Sequence, residues 1–130
     1  MDRLRRACGV VFLLCLASCA SSAAVYTEHG LDAADAVWDA YYRDRLAYCQ
    51  QRHAAGTDGA VSCFGPTADA DEKVGIAMET AVGLLRGYWI ARAAGDQPSF
   101  ARIALQVNGL IADLPPEARK IFERVKGIPQ

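Results

Sequence analysis

Histidine is scarce in this chain of 130 residues, and His29 and His53 are its only two. Neither stands at a recognisable spacing from a serine or cysteine nucleophile. No zinc-protease helix motif, phosphate loop or glycine-rich dinucleotide turn occurs either. The sequence therefore reads as non-catalytic, with no cofactor and no resident metal. Long apolar runs are also missing. The longest stretch, Ala7 to Ala17, falls short of the about 20 residues that a membrane-crossing helix needs. Lysine and arginine form no cluster of the kind nucleic acid requires. No alternating apolar–polar pattern suggests a strand.

What is present begins with an address. Arg3, Arg5 and Arg6 form a basic head, the apolar run follows, and small residues close it, the layout of a secretory signal peptide. The closing residues Leu16-Ala17-Ser18-Cys19 resemble the lipobox of bacterial lipoproteins. That resemblance covers residues 1–20 and implies cleavage before Cys19, with the Cys19 thiol joined to diacylglycerol. Two or three acyl chains hold a protein on a bilayer stably, since each buried methylene contributes about 0.8 kcal/mol. The residue after the cysteine is Ala20 rather than aspartate. In two-membrane bacteria this implies the outer membrane, with the protein facing the periplasm.

Residues 1–18 carry three arginines and one aspartate, a net charge of +2, so the remainder carries −3. A mildly acidic domain of about 110 residues has room for one core. It offers no basic patch to nucleic acid or anionic lipid, so its expected membrane contact is the lipid itself. Of the five cysteines, Cys8 and Cys15 lie in the leader and Cys19 in the lipobox. Cys49 and Cys63 remain, an even number in an exported chain, and a disulfide between them is the natural pairing.

The chain divides into a signal peptide over 1–18, a flexible lipidated tether over 19–30 and a helical domain over 31–130. Small polar residues and Gly30 suggest the tether, with a reach of about 18 Å for eleven flexible residues. Leu31, Ala34, Trp38, Tyr41, Arg45 and Tyr48, and also Trp38, Tyr42, Leu46, Cys49 and His53, recur at helical steps. Asp32 can cap this helix, with Asp35 and Asp39 near its positive end. GTDGAVSCFGPTA (56–68) reads as a long loop pinned by Cys63. Asp69 and Glu72 have capping-box spacing for a second helix ending at Gly95, with Val74, Met78, Ala81, Leu85, Tyr88 and Arg92 on one face. A third carries Pro98 in its first turn and turns Phe100, Ile103, Val107, Leu110 or Ile111, and Leu114 inward. Pro115-Pro116 opens a fourth with Ala118, Ile121, Phe122 and Val125 inward. Short links make neighbours antiparallel. The expected fold is all-α, a small antiparallel bundle of three to four helices with one disulfide.

Gly75, Gly83, Gly87, Ala91 and Gly95 follow one another at multiples of four in the second helix. Each interior glycine costs about 1 kcal/mol against alanine. Close internal packing against Ala33, Ala36 or Ala40 is the preferred explanation, because bundles bury most such surfaces themselves. The alternative is a smooth groove in which another helix, from this chain or a partner, approaches at backbone distance, with Gly83, Gly87 and Trp89 as candidate partner contacts. The carboxylate groups Asp32, Asp35, Asp39 and Asp69, Asp71, Glu72 read as helix-start charges rather than cation sites. Trp38, Tyr41, Tyr42, Tyr48, Tyr88 and Trp89 read as core aromatics with wet outer edges.

Three function classes fit. The first is a membrane-tethered adaptor or assembly factor for an envelope protein partner. Secretin pilotins are similar in general architecture (small, helical, disulfide-containing lipoproteins), though no motif is matched. The second is an envelope lipoprotein of mobile-element type, acting in lysis, exclusion or immunity. The third is a small-ligand binder or enzyme, which would need a sizeable apolar pocket.

Overall fold

The computed structural model describes residues 2–56 and 60–125 of the chain. Four helices account for nearly all of them: α1 (Asp2–Ala54), α2 (Ala60–Ala93), α3 (Phe100–Ala112) and α4 (Pro116–Arg124). Three ties between α1 and α2 give their direction. Glu28 meets Trp89, Trp38 meets Asp71, and Cys49 is bonded to Cys63. Numbers rise along α1 as they fall along α2, so the two form a long antiparallel hairpin. The shorter α3–α4 hairpin lies across it, α3 against α2 and α4 against α1. The fold is the expected all-α bundle, and the Cys49–Cys63 disulfide is formed, with Cα atoms 5.6 Å apart.

The core follows helical periodicity. Leu31, Ala34 and Trp38 of α1 pack with Val74, Ala81 and Leu85 of α2, and Val107, Ile111, Leu114, Ala118 and Phe122 close the other side. Tyr88 is fully buried, with its ring 5.7 Å from that of Phe100 in an edge-to-face pair. Of the two candidate faces of α1, the one through Tyr42 and Cys49 turns inward, while Tyr41, Arg45 and Tyr48 stay exposed. Their partners are local: the Arg45 and Arg52 guanidinium groups lie over the Tyr48 ring at 5.1 and 5.6 Å.

Helix ends show why the chain turns where it does. Gly95 (φ 85°) follows α2 in a Schellman arrangement, in which the Asp96 N–H bonds to the Ala91 carbonyl and the Gly95 N–H to that of Arg92. Gly56 (φ 67°) ends α1 in the same left-handed conformation. Ser99 caps α3 by accepting from the Arg102 N–H, so Pro98 stands just outside the helix rather than in its first turn. Pro116 occupies the first position of α4, where its missing N–H costs nothing.

Two expected irregular segments are helical instead. Residues 19–30, expected as a flexible tether, continue α1 without a break. Ala24 and Thr27 lie at 0% and 1% exposure. They extend the Leu31–Ala34–Trp38 stripe backwards at steps of three and four, so this segment has a buried face that rewards helix formation. Gly30 is carried inside the helix, at a cost of about 1 kcal/mol. The second correction concerns the loop over 56–68. Helix α2 starts at Ala60, so Asp69 and Glu72 sit inside it and form no capping box. The disulfide holds this first part of α2 against the end of α1. Thr67, also buried, donates to the Cys63 carbonyl at 2.7 Å. Pro66 leaves the carbonyl four residues earlier without its helical donor, a local cost the cross-link offsets. Thr57, Asp58 and Gly59, and residues 126–130 including Gly127, lie outside the described residues.

Candidate functional site

Between α1 and α2, on the side away from α3 and α4, runs an open groove. One depression of about 520 Å³ is lined by Glu28, Leu31, Val82, Leu85, Trp89 and Ile90, among others. A second of about 630 Å³ is lined by Asp35, Gly75, Met78, Glu79 and Gly83. Asp32, Val82 and Arg86 belong to both, which makes them one trough. Among the described residues, none from α3 or α4 lines it. Along α2 it extends from Gly75 to Ala93, about 27 Å at the helical rise of 1.5 Å per residue.

The walls differ in chemistry. On α1, Glu28, Asp32 and Asp35 recur at steps of four and three and form an acidic wall. On α2, Gly75, Met78, Val82, Gly83 and Ile90 form an apolar wall of uneven height, broken by Glu79 and Arg86. Two indole–carboxylate bonds set the spacing of the helices. Trp89 Nε1 donates to Glu28 Oε1 at 2.6 Å near one end, and Trp38 Nε1 donates to Asp71 Oδ1 at 2.9 Å near the other. Both indoles present an apolar body to the protein and a satisfied N–H to the opposite helix.

The acidic wall has an electrostatic signature. Partial desolvation, followed by the neighbouring carboxylates of Asp39, Asp32 and Asp71, pushes the Asp35 carboxyl above its ordinary range. Crowded like charges of this kind are unfavourable within the chain. Helix-start electrostatics does not explain them, contrary to expectation. Asp32, Asp35 and Asp39 stand in the interior of α1, and Asp69, Asp71 and Glu72 in that of α2, far from either positive end. Asp39 is engaged with Arg43 at 2.7 Å. Among the described residues, no group of three or more His, Cys, Asp or Glu side chains is placed to hold a metal ion.

The glycines overturn the preferred packing explanation. A Cβ added at Gly75, Gly83 or Gly87 would meet no atom within 4 Å, and all three positions are exposed. Alanines of α1 therefore do not pack against them. Nor do the small residues make a single edge, because a four-residue step drifts about 40° around a helix of 3.6 residues per turn. Gly75 and Gly83 line the groove, Gly87 falls on its outer flank, Ala91 is half-buried, and Gly95 belongs to the turn after α2. Of the three expected contact residues, the structure thus brings Gly83 and Trp89 to the groove and leaves Gly87 beside it. Glu28, Asp32, Asp35, Val82 and Arg86 complete it. Their signal in the sequence was the four-and-three spacing of carboxylates, hidden by assigning Glu28 to a tether. The Cys19 side chain lies outside the described residues.

Among the described residues, no helix is long and apolar enough to cross a membrane. Comparison with protein-family models, curated proteins and solved structures gave no match.

Proposed function

We propose that this chain is a bacterial lipoprotein, anchored through Cys19 to the outer membrane on its periplasmic side, that acts as a non-catalytic adaptor or assembly factor for an envelope protein. The anchor rests on Leu16-Ala17-Ser18-Cys19, placed behind a basic head and a short apolar run. The adaptor role rests on one observation, the open groove between α1 and α2 where a Cβ at Gly75 or Gly83 would meet open space. Interior glycines each cost about 1 kcal/mol of helix stability, so an uncovered pair in a groove needs a use outside the fold.

The helical course of residues 19–30 sharpens the reading. Only five helical steps, about 7.5 Å, separate Cys19 from the fully buried Ala24. Such a domain stands directly on its lipid, and α1 is the post that holds it there. A second reading draws on the depression between Glu28 and Ile90. Its volume of about 520 Å³ lies within the range of small-molecule sites. A small apolar ligand would sit over Leu31, Leu85 and Trp89. This site opens along its length into the rest of the groove, which suits an elongated occupant better.

The test is the intact mass of protein extracted from membranes, compared with a Cys19→Ser variant. The expected product begins at Cys19 and carries acyl mass, and the variant carries none. An unprocessed leader, or a Cys19 terminus without acyl mass, would remove the anchor. Cross-linking in cells then tests the adaptor role: one specific envelope protein is expected on the lipidated form and lost on the untethered one.

A further inference from the structure

We infer that the α1–α2 groove receives a basic amphipathic helix of a partner protein, docked with its small or apolar face on Gly75, Val82 and Gly83 and its Lys or Arg side chains on the Glu28–Asp32–Asp35 wall. The inference rests on the adaptor reading above and names the partner's chemistry. Three features of the groove select this occupant.

Length comes first. A trough of about 27 Å matches roughly 18 residues of α-helix, the reach of five turns. Shape is the second. At Gly75 and Gly83 the wall drops to backbone level, and the space above each is open to 4 Å. Between them Met78 and Val82 stand up, with Val82 at 42% exposure. Low and high positions alternate at helical spacing, the surface into which a helix ridge packs.

Charge is the third, and it decides between candidate helices. The groove presents the carboxylates of Glu28, Asp32, Asp35 and Glu79 against one guanidinium, Arg86. A second copy of this chain, docked through the same groove in a two-fold dimer, would set two linings of the same negative balance against each other. Anionic lipid is disfavoured for the same reason. A helix carrying Lys or Arg along one edge relieves the crowding of Asp32 and Asp35 on docking. Glycine at the wall lets the partner backbone come close, so that basic side chains of ordinary length reach across to α1.

The experiment places a photo-cross-linking amino acid at Val82 in the groove and, separately, at Leu105 on α3, which is 73% exposed. The full lipidated chain is irradiated in cells and cross-linked peptides are sequenced. The expected adduct at Val82 is a protein segment with apolar residues at three- and four-residue steps and at least two Lys or Arg flanking them. A synthetic 18-residue peptide of that segment, titrated into the lipidated protein in phosphatidylcholine nanodiscs, should lose about tenfold in affinity with Asp32→Asn and Asp35→Asn combined. Gly83→Leu should weaken it more, while Gly87→Leu, beside the groove, should weaken it less than threefold.

An acidic or non-periodic segment, an acyl chain or this chain itself at Val82 would overturn the inference. So would a peptide affinity indifferent to Gly83→Leu. A partner captured from Leu105 but not from Val82 would leave the adaptor reading standing and remove the groove from it. No adduct at either position would sink both.

Discussion

Replacing Gly75, Gly83 and Gly87 together by alanine should make the protein more stable. Each is inside α2, each is exposed, and an added Cβ at each meets open space to 4 Å. The only changes are then a restriction of the unfolded backbone and the shielding of a helical one, worth about 0.8–1 kcal/mol per site. The three sites share no packed side chain, so the gains should add, to about 2.4–3 kcal/mol. In a domain of this size that is a rise in Tm of roughly 10 °C. Thermal unfolding followed by circular dichroism, with wild type and variant in the same detergent micelle, reads it directly. A fall in Tm would refute the reasoning, because it would mean that part of the fold needs these positions free of a side chain. The alternative packing against Ala33, Ala36 and Ala40 requires such a fall. A raised Tm with lost partner capture would separate the fold's interest from the groove's, since glycines bad for the first would be needed by the second.

Other perturbations test other parts of the bundle. Converting Cys49 and Cys63 to alanine should cost about 3 kcal/mol, the chain entropy of closing a loop whose ends are 14 residues apart, read as a lowered urea midpoint. Reduction of the wild type should lower the midpoint by a similar amount, and no shift in either case would mean that α1 and α2 hold this end without the cross-link. Phe122→Ala, at a position 1% exposed, should cost about 3–5 kcal/mol in the same assay, whereas Leu105→Ala should stay within about 0.5 kcal/mol. Asp35→Asn should stabilise the protein slightly at pH 7, by under about 0.5 kcal/mol after solvent screening. The sign follows from the raised folded-state carboxyl: it takes up its proton more readily than the unfolded chain does, so its unfavourable contribution at pH 7 fades as pH falls through the raised value and is gone below 3.8. Urea midpoints at pH 7 and pH 3.5 should therefore differ between wild type and Asp35→Asn at the higher pH only.

Periodicity made the bundle legible. Val74, Ala81, Leu85 and Tyr88 on α2, Val107 and Ile111 on α3, and Ala118 and Phe122 on α4 are buried where helical spacing puts them. The disulfide followed from cysteine parity. Both errors of boundary arose where local composition opposed tertiary gain. Ser, Gly and Ala at 20–30 read as a tether, and Gly-Thr-Asp-Gly with Pro66 read as a loop. In the fold, a buried stripe through Ala24 and Thr27 and a covalent tie at Cys63 outweigh these local preferences. The groove was half legible. Gly83 and Trp89 stand out in α2 by themselves. Their acidic counterparts on α1 do not, because pairing Glu28 with Trp89 depends on how two long helices register across 61 residues of sequence. The same errors also disguised the carboxylates. Once Asp32 is assigned to a helix start, its charge has an ordinary explanation, which disappears when the helix proves to begin far upstream.

That upstream course also sets the distance of the groove from Cys19 along α1. If the lipid is on Cys19, nine helical steps carry Glu28 about 14 Å from it along α1, and sixteen carry Asp35 about 24 Å. Trp89 and Ile90 lie at the level of Glu28, so their end of the groove is the one nearer Cys19 along α1. Asp35 and Gly75 lie at the other end of the groove, farther along α1 from Cys19. A helix seated in this trough would therefore run alongside α1. A jointed tether would let the domain tumble and present the groove at any angle. A continuous α1 makes the separation of lipid and groove a property of the sequence between Cys19 and Glu28. On the proposed anchoring, the buried Ala24 and Thr27 would serve two ends at once, holding the bundle together and setting the distance between lipid and groove.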